Sequence, residues 1–220
     1  MLRILNTKVY DLKESVIACR NAMRLDIPEY TDEEFEKSLE RMKKLVLASK
    51  NGDVKCHDNA LVGIRVAFDV MYPQYWTPEF QRYHFADIIT SASKMHRLLK
   101  MDINKACNKY VSQSQIDTLQ RDIDWYNEVG NSEDGKTFVI ILRDGEEIVT
   151  KNKQDALYYA FMRCISDCPC GLELFMRCTT NYKQLQTIYA QRKYHKLKED
   201  WGAFCKWAES LPYASELITV

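Results

Sequence analysis

At 220 residues, with 31 lysines and arginines balanced by 31 aspartates and glutamates, the chain has no net field to steer it to nucleic acid or an anionic membrane. The first residues lack the apolar run of a signal peptide, and no stretch approaches the roughly 20 apolar residues of a transmembrane helix. The expectation is a soluble cytoplasmic protein with neither a nucleic-acid nor a membrane partner.

Arg3 to Tyr10 alternates as an opening strand, and Glu14 to Met23 carries Val16, Ile17, Cys19 and Met23 as a short helix. Thr31 followed by Glu34 forms a capping box. Phe35, Leu39, Met42 and Val46 then recur at helical spacing until Asn51-Gly52 stops the helix. Leu61 to Met71 alternates with β-branched residues and predicts a core strand ending at Tyr72-Pro73. Thr77-Pro78-Glu79 has the form of a cap with proline at the first helical position, predicting a helix through Arg82, His84 and Ile88 toward Ser93. Ile116 to Val129 predicts a helix with Leu119, Ile123 and Tyr126 inward, broken at Gly130-Asn131-Ser132.

Phe138 to Leu142 and Glu147 to Thr150 flank Asp144-Gly145, a pair that suits a two-residue type I′ hairpin turn. Asp155 to Ile165 is helical, and the last helix puts Leu197, Trp201, Phe204, Cys205 and Ala208 on one face. Between these helices, Pro169 to Arg192 joins an apolar strand to a helix. Asn181 and Arg192 lie eleven residues apart, about three turns with ~20° left over, so they share a face with Leu185 and Ile188 between them. An amide and a guanidinium at the two ends of an apolar strip suit a flat, anionic ligand. Helices and strands mix without a βαβ rhythm, which predicts an α+β fold: one domain over 1–220, its central, mostly antiparallel sheet flanked by helices.

The seven glycines form neither a GxGxxG nor a Walker loop, which argues against a Rossmann or P-loop enzyme. His57, His84, His96 and His195 are not paired as in zinc hydrolases. Eight cysteines in 25.9 kDa of ordinary composition read as free thiols, most of them small core hydrophobes. The spacing of Cys164, Cys168, Cys170 and Cys178 matches no common zinc pattern, so no metal is expected, and a thiol or metal enzyme built there is the outside reading. Tyr72 to His84 and the Asn181 helix set polar groups among aromatic ones, a setting that suits a stacked ring with cations for phosphate.

The order and spacing of these pieces resemble the flavin-dependent thymidylate synthases over much of the chain. SVIACRNAM, then DEEFEKSLERMKKLVLASKNGDVKCHDNAL with His57, resembles that family's opening. Val66-x-Phe68-x-Val70 with Pro73 resembles its first core strand, and Pro169, Thr179, Asn181, Lys183, Leu185 and Arg192 match its late motif without a gap. The signature R-H-R-x-x-S-x-N-E-x-S-x-R departs. From Arg82 the ungapped match gives Arg82-Tyr83-His84, Asp87, Ile89-Thr90, Ala92 and Lys94; a one-residue shift matches His84 and Ser93, and Met95-His96-Arg97 is a poorer candidate. Val62-Gly63 stands where a Glu-His pair is expected.

The resemblance implies a dUMP-like pyrimidine deoxynucleotide as ligand and FAD as cofactor, with NADPH and methylenetetrahydrofolate as further participants. It also implies a homotetramer. In that family a reduced flavin delivers hydride while a one-carbon unit passes to C5 of the pyrimidine, without a protein nucleophile, so no catalytic residue is assigned. By resemblance Arg82, His84 and Asn181 face flavin, while Lys94 and Arg192 hold the nucleotide. The hairpin at 137–150 has no counterpart and is expected as an insertion. The alternative is a catalytically degenerate member of the fold that serves as a nucleotide-binding or interaction protein.

Overall fold

A computed structural model describes residues 2–53 and 57–220. In chain order the elements are β1 (Arg3–Tyr10), α1 (Leu12–Ala18), α2 (Asp32–Asn51), α3 (Ala60–Gly63), β2 (Arg65–Pro73), α4 (Thr77–Phe80), β3 (Asp87–Ser91), α5 (Lys94–Arg97) and α6 (Ile103–Ala106). There follow α7 (Gln113–Asn131), β4 (Phe138–Ile141), β5 (Glu147–Thr150), α8 (Lys153–Ser166), β6 (Glu173–Asn181), α9 (Tyr182–Arg192), α10 (Lys198–Glu209) and α11 (Ala214–Leu217). The fold is α+β, with the helix-flanked, largely antiparallel sheet that the sequence predicts. The chain forms two compact units, one of residues 1–72, 76–91 and 175–220, the other of 73–75 and 92–174.

The first unit holds a four-stranded sheet in the order β1-β2-β6-β3, with β1 antiparallel to β2 and β3 antiparallel to β6. Alternation on β2 buries Val66, Phe68, Val70 and Tyr72 on one face. Against that face stands an aromatic cluster. Phe68 meets Trp207 at 4.5 Å between ring centroids, and Trp76 lies 4.7 Å from Phe80 and 4.9 Å from Trp201. Helix α10 thus covers the sheet with most of the side its spacing predicts, since Trp201, Phe204, Cys205 and Ala208 are all buried, while Leu197 stands half-buried at its N-cap. Two hydrogen bonds tie β1 to it: the Leu2 amide donates to Asp200 Oδ1 at 3.1 Å and Trp207 Nε1 donates to Thr7 Oγ1 at 2.9 Å.

Helix α2 begins and ends where its caps predict. Thr31 Oγ1 accepts from the Glu34 amide at 3.2 Å, and Gly52 closes the helix with φ +80°, a conformation that costs a residue without Cβ little. Only half of the capping box forms. The Glu34 carboxylate accepts instead from Arg20 and Arg24, and Arg24 above all holds its carboxyl below the usual range. The helix predicted over Glu14–Met23 is split into α1 and a 3-10 turn at Asn21–Met23.

Two further boundaries differ. The strand predicted from Leu61 starts at Arg65, because Ala60–Gly63 turns helical against α1. A Cβ on Gly63 would lie 2.1 Å from Ser15 Oγ, so the backbone there approaches α1 as only glycine allows. The long helix predicted from Thr77 is also corrected. It stops at Phe80, with Trp76 and not Thr77 in the N-cap position, and Asp87–Ser91 is a strand instead. Ile88, Ile89 and Thr90 are β-branched, and β6 supplies a partner ladder, with Asp87 opposite Thr179 and Thr90 opposite Arg177.

In the second unit α7 lays Ile116, Leu119, Ile123 and Val129 against its surroundings, and α8 buries Ala156, Ala160 and Cys164. The hairpin shares this core: Phe138 and Ile140 pack with Val129 and Ala156. Its turn is not the two-residue form predicted. Leu142 O accepts from the Gly145 amide at 3.0 Å and the Leu142 amide donates to Glu146 O at 2.9 Å, with Gly145 at φ +90°. That is a three-residue loop with a glycine bulge, and Asp144 keeps an ordinary negative φ.

One buried carboxyl gives this unit a pH signature. Asp122 meets Arg163 Nε at 2.9 Å, but burial, and the neighbouring carboxyl of Asp167, push its own carboxyl above the usual aspartate range. The folded state therefore binds this proton more readily than the unfolded chain. The associated stability is complete below the ordinary aspartate range near 3.8 and falls as pH rises through the elevated folded value. Thermal melts from pH 3.5 to 8 are expected to show this loss, and Asp122→Asn should flatten it. An unchanged slope in that variant would assign the effect elsewhere.

Candidate functional site

The strand-to-helix segment comes out as predicted, β6 running into α9 with Asn181 as the N-cap. Asn181 is 2 % exposed, and its Oδ1 accepts from the Gln184 amide at 2.8 Å. The amide side chain that the resemblance aims at flavin thus also fastens the first turn of α9. Capping by Asn is worth about 0.5–2 kcal/mol, so Asn181→Ala should cost ~1–2 kcal/mol at this buried position. Denaturant titration checks it, and a loss under 0.3 kcal/mol would show the cap to be idle.

Arg192 closes the same helix, ~16 Å away at 1.5 Å per residue. Asn181 stands at the N-cap with extended backbone, so the helical register runs from Tyr182, and the strip ahead of Arg192 is core, since Leu185 and Ile188 are both 0 % exposed. Asn181 and the Arg192 side chain are both largely buried. The Arg192 guanidinium, its side chain 13 % exposed, lies 4.6 Å over the Trp201 ring and 5.5 Å from the Tyr83 ring centroid. Its Nε donates to Tyr83 Oη at 2.7 Å and its Nη1 to Glu79 Oε2 at 3.1 Å. Trp201 Nε1 donates to the same Glu79 oxygen at 2.7 Å, and His195 Nε2 lies 3.5 Å from it. Tyr83 Oη in turn donates to Gln191 Oε1 at 3.0 Å. Burial pushes the Tyr83 hydroxyl above the usual tyrosine range, against the pull of Arg192.

A second ion pair sits near the start of α9. Lys183 reaches Asp58, whose side chain is 1 % exposed and whose other carboxylate oxygen, Oδ1, is buried with no partner among the described residues. Both Lys183 and Asp58 belong to the first unit.

The remaining predicted residues are placed differently. Arg82 and His84 lie on the turn between α4 and β3, where both are exposed and find no hydrogen-bond partner among the described residues, next to an exposed Phe85. Lys94 opens α5 and belongs to the second unit. Of the signature positions, Asp87, Ile89 and Thr90 are spent on the β3 ladder or its bulge. Among the described residues no three His, Cys, Asp or Glu side chains gather as a metal site. Cys164, Cys178 and Cys205 are buried, and burial raises their thiols to about 11, about 12 and about 11. Such thiols stay protonated and unreactive near neutrality, as core hydrophobes do.

Sequence reasoning missed Glu79 and Tyr83 as the partners of Arg192, and His195 and Trp201 as those of Glu79. The only local signal was Glu79 in the Thr77-Pro78-Glu79 cap, where its carboxylate could be credited to a helix start.

Neither a family model nor a curated protein matches the sequence. Solved structures do. The flavin-dependent thymidylate synthase ThyX from Helicobacter pylori, complexed with FAD and dUMP, matches with a TM-score of 0.58 at 14% identity, covering 98% of this chain and 97% of that one. A second structure of ThyX from the same organism, with FAD and dUMP, gives 0.58 at 14% identity over 100% and 98%. The UMP/dUMP methylase PolB from Streptomyces cacaoi, bound with 5-Br dUMP, gives 0.57 at 11% identity over 100% and 94%. Likeness at such identities speaks for architecture, and over its whole length this chain has the fold of the flavin-dependent thymidylate synthases.

Proposed function

We propose that the chain binds a dUMP-like pyrimidine deoxynucleotide and FAD and acts as a diverged flavin-dependent thymidylate-synthase-like enzyme, modifying the pyrimidine at C5. The observation that carries this reading is the end-to-end fold match to two enzymes solved with dUMP or its bromo analogue, one of them also with FAD. The retained Asn181 and Arg192 at the two ends of one helix support it.

The residues fit the cofactor in part. Arg82 and His84 are exposed beside Phe85 and unpaired among the described residues, a donor set suited to the phosphates and to stacking on a planar ring, while buried Asn181 has only its amide nitrogen left to offer. Bound FAD would supply the hydride chemistry. The chain's own groups would bind and orient, with Arg82, His84 and Asn181 toward the cofactor and Arg192 and Lys94 toward the nucleotide. Methylenetetrahydrofolate as carbon donor, NADPH as reductant and a homotetrameric assembly belong to the same proposal.

The second reading, a nucleotide-binding or interaction protein that has lost catalysis, draws on one observation. The signature positions Asp87 and Thr90 serve sheet pairing.

The purified protein is expected to show a flavin absorption spectrum and to melt higher with dUMP and with FAD. A colourless protein indifferent to both would sink the proposal. Ligand binding without transfer of a one-carbon unit to dUMP would favour the second reading. Arg192→Ala should weaken nucleotide binding and Asn181→Ala flavin binding, each by tenfold or more, and unchanged dissociation constants would refute the assignments.

A further inference from the structure

We infer that Glu79 is a built-in anion that closes the phosphate end of the site, so that a nucleotide must displace it to reach Arg192. The inference rests on the proposed role of Arg192 in holding the nucleotide. Three side chains from the end of α9, the turn after it and the start of α10 converge on one oxygen, Glu79 Oε2: Arg192 Nη1 at 3.1 Å, Trp201 Nε1 at 2.7 Å and His195 Nε2 at 3.5 Å. Arg192 is further oriented by its bond to Tyr83 Oη and by stacking on Trp201. A guanidinium, an indole N–H and an imidazole aimed at a single point make an oxyanion receptor, and carboxylate and phosphate oxygens are interchangeable guests for such donors.

The carboxylate is tethered three residues after the cap of α4, on the same compact unit as its three partners. A tethered guest acts at an effective concentration of about millimolar or more, which a free phosphate group has to beat. The arrangement is a latch: shut, the guanidinium is spent on the chain's own acid; open, it faces a ligand. The latch discriminates by charge, because a neutral nucleoside has nothing to exchange for Glu79.

Calorimetric titration of the full chain with dUMP and with deoxyuridine tests this in wild type, Glu79→Gln and Arg192→Ala. Glutamine keeps the shape and an oxygen for Trp201 but removes the charge that claims Arg192. Glu79→Gln should bind dUMP at least tenfold tighter than wild type, with deoxyuridine unchanged, and its melting temperature should climb with inorganic phosphate while that of wild type stays flat. Should Glu79→Gln fold poorly, Glu79→Asp, which withdraws the carboxylate by one methylene, is expected to move dUMP affinity the same way. Equal dUMP affinity in wild type and both Glu79 variants, with Arg192→Ala weaker, would overturn the latch and leave the nucleotide site standing. No dUMP binding by wild type or either Glu79 variant would overturn both.

Discussion

Trp76→Ala is expected to lower the unfolding free energy by about 3–5 kcal/mol, the range for deleting a large aromatic from a packed core. Trp76 is 0 % exposed, stacks on Phe80 at 4.7 Å, and lies within 4.9 Å of Trp201 and 6.2 Å of Phe204, so its loss opens a cavity that rigid rings cannot refill. Its Nε1 is buried with no partner among the described residues, and leaving such a group unsatisfied costs about 1–3 kcal/mol. Trp76→Phe gives up volume but removes that orphan N–H, so its net cost should stay within about 1 kcal/mol. Urea titration with unchanged m-values measures both variants. If phenylalanine destabilises as much as alanine, the indole nitrogen has a partner in solution.

Arg192→Ala should be the next most damaging, at ~2–3 kcal/mol. It strips the cation from a carboxylate that Trp201 still holds and takes the guanidinium off two aromatic faces. The figure sits below the range for fully buried pairs because Glu79 retains 29 % side-chain exposure and water screens what is left. Adding Glu79→Gln should recover part of the loss, since the uncompensated charge goes with it. A double-mutant cycle on these residues is expected to give a coupling of about 1 kcal/mol or more, and strict additivity would show that they do not act as a pair.

How far the sequence could be read depended on where each signal had to act. Helix α2 was legible because its start, stripe and stop all lie within one stretch: Thr31 caps, Phe35 to Val46 line one side, and Gly52 ends it. The turn after α4 was not, since Thr77-Pro78 speaks only for the next few residues while Ile88 to Thr90 answer to β6, some ninety positions later. In the candidate site, Arg192 could be picked out by spacing, yet its partners could not. Arg192 meets Tyr83 and Glu79 across 109 and 113 residues, Trp201 meets Glu79 across 122, and no periodicity links them. The same limit hid the fate of Leu185 and Ile188: spacing shows that residues share a face, and only packing shows that the face is turned inward.

The close approach at Gly63 bears on the position where the resemblance calls for a Glu-His pair. A Cβ at 63 would lie 2.1 Å from the Ser15 hydroxyl and 3.1 Å from the Ser15 Cβ, so the histidine of that pair would have to displace Ser15. The Ser15 hydroxyl is tied to Asp11 Oδ2 at 2.6 Å, and α1 is seated by the buried side chains of Val16 and Ile17. Position 63 thus works as a spacer gauge: the missing side chain sets how near α1 stands to the turn before β2, and a larger residue there is expected to be admitted only as that distance grows or the Ser15–Asp11 bond is given up.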